Sequence, residues 1–173
     1  IVQAARIKYS GEAPKLRDMI LASTDIMGGL ATKVAPVANF ALGLKPTKVV
    51  MDAVLKVDKH RTFPKYASRT FESWYKKNVK AFQDSFKRHV SFFHGCYVNY
   101  NYPQLGKDLI SVMNALGYGV HLLENEKCCG TALISNRMID QAKRNAVNNV
   151  ESIRKSVYER QMPVIGTSSS CNF

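Results

Sequence analysis

Residues 90–130 read VSFFHGCYVNYNYPQLGKDLISVMNALGYGVHLLENEKCCG, and this stretch decides the fold. Positions 90–93 are a short apolar run of strand type. After a turn, Leu105, Leu109, Val112, Met113 and Leu116 recur at the helical period and predict a helix over 104–116, which Gly117 and Gly119 close. Positions 120–123 form a second apolar run, with Cys128-Cys129-Gly130 as a turn beyond it. Downstream the pattern repeats. A long helix is predicted over 136–158, with Ile139, Ala142, Ala146, Val150, Ile153 and Val157 as its expected buried stripe, then a third strand at 163–166. Strands and helices alternating at this spacing imply an α/β fold, a small parallel sheet with right-handed crossovers. Three strands make a narrow sheet, so this chain is expected to be a piece of something longer.

The four cysteines follow the strands. Cys96 lies just past the first, Cys128 and Cys129 past the second, and Cys171 past the third. In an open parallel sheet the carboxyl ends of the strands share one edge, and ligands bind in the crevice there. Three sequence-distant loops therefore bring four thiols to one side. Thiolates are soft donors that suit iron–sulfur clusters, zinc or copper(I). Gly130 permits the sharp backbone path that two adjacent ligands need. The plainer alternative is that each cysteine packs as a small buried hydrophobe. A disulfide between adjacent Cys128 and Cys129 is sterically awkward. Four cysteines are also too few for a disulfide-stapled secreted scaffold, and the adjacent pair points to metal or redox chemistry in a reducing compartment.

Upstream the character changes. The 173 residues are 46% hydrophobic and 22% charged, which suits one ordinary domain with an appended helical segment and excludes wholesale disorder. Residues 1–89 carry 17 Lys/Arg against 7 Asp/Glu, whereas 90–173 carry 8 against 6. This asymmetry divides the chain into a helical basic connector, 1–89, and a second region, 90–173. Within the connector a short helix places Leu16, Met19, Ile20 and Ser23 on one face. Thr24 or Asp25 stands where a cap would start a second helix through Ile26, Leu30, Val34, Val37, Phe40 and Leu44, kinked at Pro36. Pro46 begins a third, with Val49, Val50, Ala53, Val54 and Val57 expected to face inward. Residues 58–67 read as a basic loop, and a fourth helix from Ser68 interleaves Phe71, Trp74, Tyr75, Val79, Phe82 and Phe86 with lysines.

A net charge of +12 points to an anionic neighbour. Lys33, Lys45, Lys48 and Lys56 beside an apolar stripe suit an anionic membrane surface, with Phe71, Trp74, Tyr75, Lys76, Lys77 and Phe82 at headgroup level. A docking face for an acidic partner subunit and a plain solvated basic surface are the competing readings. Nucleic acid is not expected: no helix-turn-helix, RNP or zinc-finger spacing is present. No phosphate-binding loop and no ordered hydrolase triad occur. The longest apolar stretch, 26–44, is interrupted by Lys33 and Pro36, so a spanning helix is not expected, nor is a signal peptide at the start of this sequence.

The runs FFHGCYVNY (92–100), PQLGK (103–107) and KCCG (127–130) resemble the cysteine-rich CCG domain family, to which the heterodisulfide reductases are related. Among its members, the C subunits of anaerobic glycerol-3-phosphate dehydrogenases also match upstream, at Thr24-Asp25, Leu44-Lys45-Pro46, Arg61-Thr62, Pro64-Lys65-Tyr66 and Trp74-Tyr75. The resemblance implies that 90–173 is the first of two CCG domains, truncated here, and that a ferredoxin-like module belongs upstream. It implies Cys96, Cys128, Cys129 and Cys171 as ligands of a 4Fe–4S cluster, with zinc as the alternative metal. It further implies a non-catalytic electron-transfer subunit, passing electrons from flavin-bearing catalytic subunits towards the quinone pool. Its place would be peripheral, on the cytoplasmic face of the bacterial inner membrane. One departure stands out: the family's final Cys-x-x-Cys has Ser168 in its first place, leaving Cys171 alone.

Neighbouring residues have two readings each. His94 either bonds or ligates a cluster, or anchors its turn. Tyr97, Tyr100 and Tyr102, with Asn99 and Asn101, either cover a cofactor or pack a polar loop. Thr167, Ser168, Ser169 and Ser170 present hydroxyls to an anion or cluster sulfur, or form an ordinary turn. Two alternative functions stand beside electron transfer: a docking module with free thiols or structural zinc, and thiol–disulfide exchange by Cys128 and Cys129.

Overall fold

The computed structural model describes residues 15–168 and Cys171, so Ser169 and Ser170 lie outside the described residues. Strands β1 (Arg88–Phe93), β2 (Tyr118–Leu122) and β3 (Val164–Gly166) form one parallel sheet in the order β2-β1-β3. The central strand pairs with β2 from Arg88↔Tyr118 to Phe92↔Leu122, and with β3 from Ser91↔Val164 to Phe93↔Gly166. The α/β fold expected from the strand and helix spacing is the fold observed.

Among the described residues the connector opens with four short helices, α1 (Leu16–Ala22), α2 (Thr24–Lys33), α3 (Ala35–Gly43) and α4 (Lys45–Leu55). The single kinked helix expected over 26–44 is thus two. Val34, at φ −122° and ψ 31°, leaves helical geometry between them, and Pro36 sits in the first turn of α3, where a missing N–H costs nothing. Helices α5 (Phe71–Asn78) and α6 (Lys80–Gln83) lead into β1; their expected continuous helix is broken at Val79, φ −131°. Thr70 caps α5 by accepting a hydrogen bond from the Ser73 N–H at 3.1 Å. Helices α7 (Gly95–Tyr100) and α8 (Pro103–Ala115) connect β1 to β2. Helices α9 (Thr131–Ser135) and α10 (Ile139–Arg154), the latter running into a π-helical turn at Lys155–Glu159, connect β2 to β3.

The core lies on one side of β1. Val90, Phe92 and Val120 pack with Val98, Ile110 and two aromatics from α5, Phe71 and Tyr75. The Tyr75 hydroxyl donates to the Val120 carbonyl at 2.8 Å, and burial pushes its phenol up to about 12, the Asp84 charge adding to it. Phe71 and Tyr75 are therefore core residues and not the headgroup-level aromatics the sequence suggested. The connector behaves the opposite way: Val49, Val50, Ala53 and Val54, expected to face inward, are exposed, and Val57 alone of that set is buried.

Helix α10 departs from expectation most. Its buried positions are Ala142, Asn145, Asn149 and Ser152, followed by Ser156 in the π-helical turn, while Ala146, Val150 and Val157 face outward. The stripe keeps helical spacing but is polar, because it packs on a loop whose backbone amides and carbonyls need partners. Asn149, 7% exposed, both accepts from the Lys127 N–H (2.8 Å) and donates to the Lys127 carbonyl (2.9 Å). Replacing it with alanine is expected to cost about 1–3 kcal/mol in urea denaturation by leaving those groups unsatisfied. Val150→Ser, at a position 64% exposed, should change stability by no more than about 0.5 kcal/mol. The reverse ranking would contradict a polar inner stripe.

Candidate functional site

All four cysteines reach the carboxyl edge of the sheet, and they do so as thiols and not as disulfides. Cys96 is the second residue of α7, directly after β1. Cys128 and Cys129 follow β2, and Cys171 follows β3. The sulfurs form a contact chain. Cys128 neighbours both Cys96 and Cys129, and the Cys129 Sγ donates to the Cys171 Sγ at 3.3 Å. Cys128 is buried and the other three are half-buried. Among the described residues no three His, Cys, Asp or Glu side chains converge on a point that would hold a single metal ion. The donor set, four soft sulfurs delivered by three loops to one sheet edge, is of the kind that holds either a tetrahedral zinc or an iron–sulfur cluster.

Contact sets the acidity of each thiol. The hydrogen bond from Cys128 pulls Cys96 down against its burial. For Cys128 the bond with Cys129 lowers the pKa, but the bond with Cys96 and burial together outweigh it, and the net direction is up. Its bond with Cys128, then burial, push Cys129 up to about 12. A thiol so rarely ionised is a poor nucleophile near neutrality, which counts against disulfide exchange by the adjacent pair.

The loop that carries the pair is fixed from two sides. From α10, Asn145 donates to the Cys128 carbonyl (3.1 Å), Asn148 to the Asn125 carbonyl (2.6 Å) and Ser152 to the Glu124 carbonyl (2.6 Å), alongside the Asn149–Lys127 pair. Gly130 ends the loop at φ +93°, a conformation that disfavours any residue with a Cβ. From the connector, the Thr24 hydroxyl donates to the Cys128 Sγ at 3.3 Å, and Asp25 Oδ2 accepts from the Cys128 N–H at 3.0 Å. Neither residue is the cap of α2, which is Ser23.

Glu126 ties this loop to the one after β1. Its buried carboxylate accepts from the His94 N–H at 3.1 Å and the Gly95 N–H at 2.7 Å. His94 Nδ1 also lies 2.8 Å from Glu126 Oε2, at an angle that falls short of a hydrogen bond. The turn that carries His94 is thus anchored by Glu126 through main-chain amides. Tyr97 and Tyr102 are about half exposed, while Asn99 and Tyr100 join Cys96, Cys128, His94 and Lys127 in lining a cavity of about 700 Å³. After β3 the Thr167 hydroxyl is buried and has no hydrogen-bond partner among the described residues, and the Ser168 carbonyl accepts from the Cys171 N–H at 3.1 Å.

The sequence reading named the four cysteines and His94 but missed Thr24 and Asp25 as neighbours of Cys128, and missed Glu126, Asn145 and Asn149 entirely. Asparagines 145, 148 and 149, crowded into a helix despite their modest helical propensity, were the available signal for the last two. Nothing local marked Glu126 or the Thr24 contact.

Residues 90–173 match the family model for the cysteine-rich domain, CCG. Over all 173 residues the chain is 53% identical to the C subunit of the anaerobic glycerol-3-phosphate dehydrogenase of Escherichia coli strain K12, of which it spans 43%. A 72-residue stretch, 42% of this chain and 15% of the relative, is 36% identical to an uncharacterized iron-sulfur protein of Methanocaldococcus jannaschii. Another of 88 residues, 49% of this chain and 18% of the relative, is 31% identical to the B subunit of the fumarate reductase (CoM/CoB) of Methanothermobacter marburgensis. The chain thus spans less than half the length of these relatives. No solved structure matches it.

The thiol chain predicts an order of reactivity. In the metal-free chain, iodoacetamide followed residue by residue with mass spectrometry should alkylate Cys96 at the lowest pH. Cys129 should require a pH approaching 12, the value its surroundings impose. Equal rates for the two at every pH would contradict the hydrogen-bonded row.

Proposed function

We propose, from the match of residues 90–173 to the cysteine-rich domain family model, that this chain is an electron-transfer subunit holding an iron–sulfur centre on Cys96, Cys128, Cys129 and Cys171, within an anaerobic glycerol-3-phosphate dehydrogenase. The observation that carries the reading is the gathering of four thiols at one sheet edge by three loops, Cys96 and Cys128 lying 32 residues apart and Cys129 and Cys171 42 apart in sequence, the last two in contact. Relatives named as an iron-sulfur protein and as the C subunit of that dehydrogenase support it.

A 4Fe–4S cluster, when bound, supplies reversible one-electron storage. The chain's own residues do the rest. Asn145, Asn149 and Glu126 hold the ligand loops so that the thiols meet without a search. The buried side chain of Cys128 keeps one side of the row from water, and Thr24 gives its sulfur a hydrogen-bond donor. Ser168 leaves the terminal Cys-x-x-Cys one thiol short, so a four-thiolate centre is the form this sequence supports. In this reading electrons arrive from a flavin-bearing partner and leave towards quinone.

The connector's part is docking. Its lysines sit beside exposed Ile26, Leu30, Val37, Phe40, Val49, Val50 and Val54, an apolar and cationic surface suited to the anionic cytoplasmic face of an inner membrane or to a partner subunit. Among the described residues no helix is long and apolar enough to cross a membrane. The same exposed surface favours the second reading, in which the chain is chiefly a docking module with free thiols or structural zinc.

Two experiments separate these readings. Anaerobic reconstitution of the full chain with iron and sulfide should give stoichiometric iron and a reducible EPR signal, with Cys128→Ser losing or altering the cluster. A wild-type chain that takes up zinc but no iron would leave docking as the function. In co-sedimentation, the full chain should pellet with anionic vesicles and be released by salt, each lysine near the surface contributing about 1 kcal/mol. Equal, salt-insensitive pelleting with zwitterionic vesicles would rule out electrostatic docking on lipid.

A further inference from the structure

We propose that Thr24 and Asp25, at the start of α2, are positioning residues that set the reduction potential of the centre at Cys128, in opposite directions. The inference rests on the iron–sulfur reading above. Its basis is a contact between parts of the chain 103 and 104 residues apart: the Thr24 hydroxyl donates to the Cys128 sulfur at 3.3 Å, and Asp25 accepts from the same residue's N–H at 3.0 Å.

Neither side chain is the cap of its own helix. A hydroxyl and a carboxylate at the head of a helix ordinarily cap it, yet here they reach across to another loop, and the cap residue Ser23 turns its own hydroxyl back to the Met19 carbonyl at 2.6 Å. The helix is seated so that they must do so. Gly28 lies so close to Tyr100 of α7 that a Cβ would come 2.4 Å from the ring, and Asp18 of α1 pairs with Arg137, just before α10, at 3.3 Å. The connector is thus pinned on both sides of the thiol row, with the Thr24–Asp25 dipeptide between the pins.

The two residues act oppositely on electron density at the sulfur. A hydrogen bond to a ligating thiolate withdraws charge and favours the reduced centre, raising its potential. A carboxylate beside the centre repels the added electron and lowers the potential. Damage to the fold alone would not produce shifts of opposite sign.

The test is an EPR-monitored redox titration of the reconstituted full chain and its variants. Thr24→Val, which keeps the shape and removes the donor, should shift the potential negative, and Thr24→Ser should restore it to near the wild-type value. Asp25→Asn, which keeps an acceptor for the Cys128 N–H and removes the charge, should shift it positive. In the metal-free chain, Asp25→Ala should speed hydrogen exchange at the Cys128 amide. Iron-loaded variants with unmoved potentials, or with Thr24→Val and Asp25→Asn moving the same way, overturn this proposal and leave the iron–sulfur reading intact. A wild-type chain that loads no iron overturns the reading itself, and the potential-setting role falls with it.

Discussion

Parallel strands impose one condition on everything else in this molecule. Their carboxyl ends share an edge, so the loops that leave β1, β2 and β3 must meet there, however far apart they are in sequence. Those loops are irregular, and irregular backbone in a packed environment carries N–H and C=O groups that the sheet cannot pair. The edge therefore fills with polar side chains whose partners are backbone atoms. Glu126 takes the amides at the head of α7, and α10 turns asparagines and serines towards the loop after β2 where leucines would otherwise sit. The thiol row is the product of that satisfaction. With the loops after β1 and β2 each held by several hydrogen bonds, Cys96, Cys128 and Cys129 occupy defined places before any cofactor arrives.

The connector is joined to this arrangement at two levels. Phe71 and Tyr75 bury themselves against β1 and β2 and belong to the same core as Phe92 and Val120. Further upstream, α1 and α2 press polar residues against Cys128 and Arg137, while the apolar faces of α2, α3 and α4 remain exposed. One short segment thus bears both an apolar, cationic outer surface and direct contacts to a candidate redox ligand.

The strand and helix alternation, the parallel sheet and the placement of all four cysteines were legible in the sequence because each rests on local periodicity or on the order of elements. The burial of the helices was less so. Hydrophobic spacing assigned Val150 to the inside of α10 and Val49, Val50 and Val54 to the inside of α4, and all four are exposed. In α10 the inner face serves unpaired backbone, a demand created by a loop 17 to 28 residues away and invisible to a window of one helix. In α4 the apolar face has no covering element among the described residues. Thr24 and Asp25 look like capping residues by local rules; their link to Cys128 depends on tertiary packing alone. Tyr75 and Phe71 show the same limit from the other side, since an aromatic stripe among lysines reads equally as an interface or as a core until its partners are known.

The central claim is that four thiols act as one set. It is tested most directly by counting thiols accessible to a maleimide, before and after anaerobic loading with iron and sulfide, in the folded full chain. The account predicts that Cys96, Cys128, Cys129 and Cys171 become protected together, in proportion to the iron bound, and are released together by a chelator. Protection confined to the adjacent pair, or cysteines protected independently of one another, would contradict it.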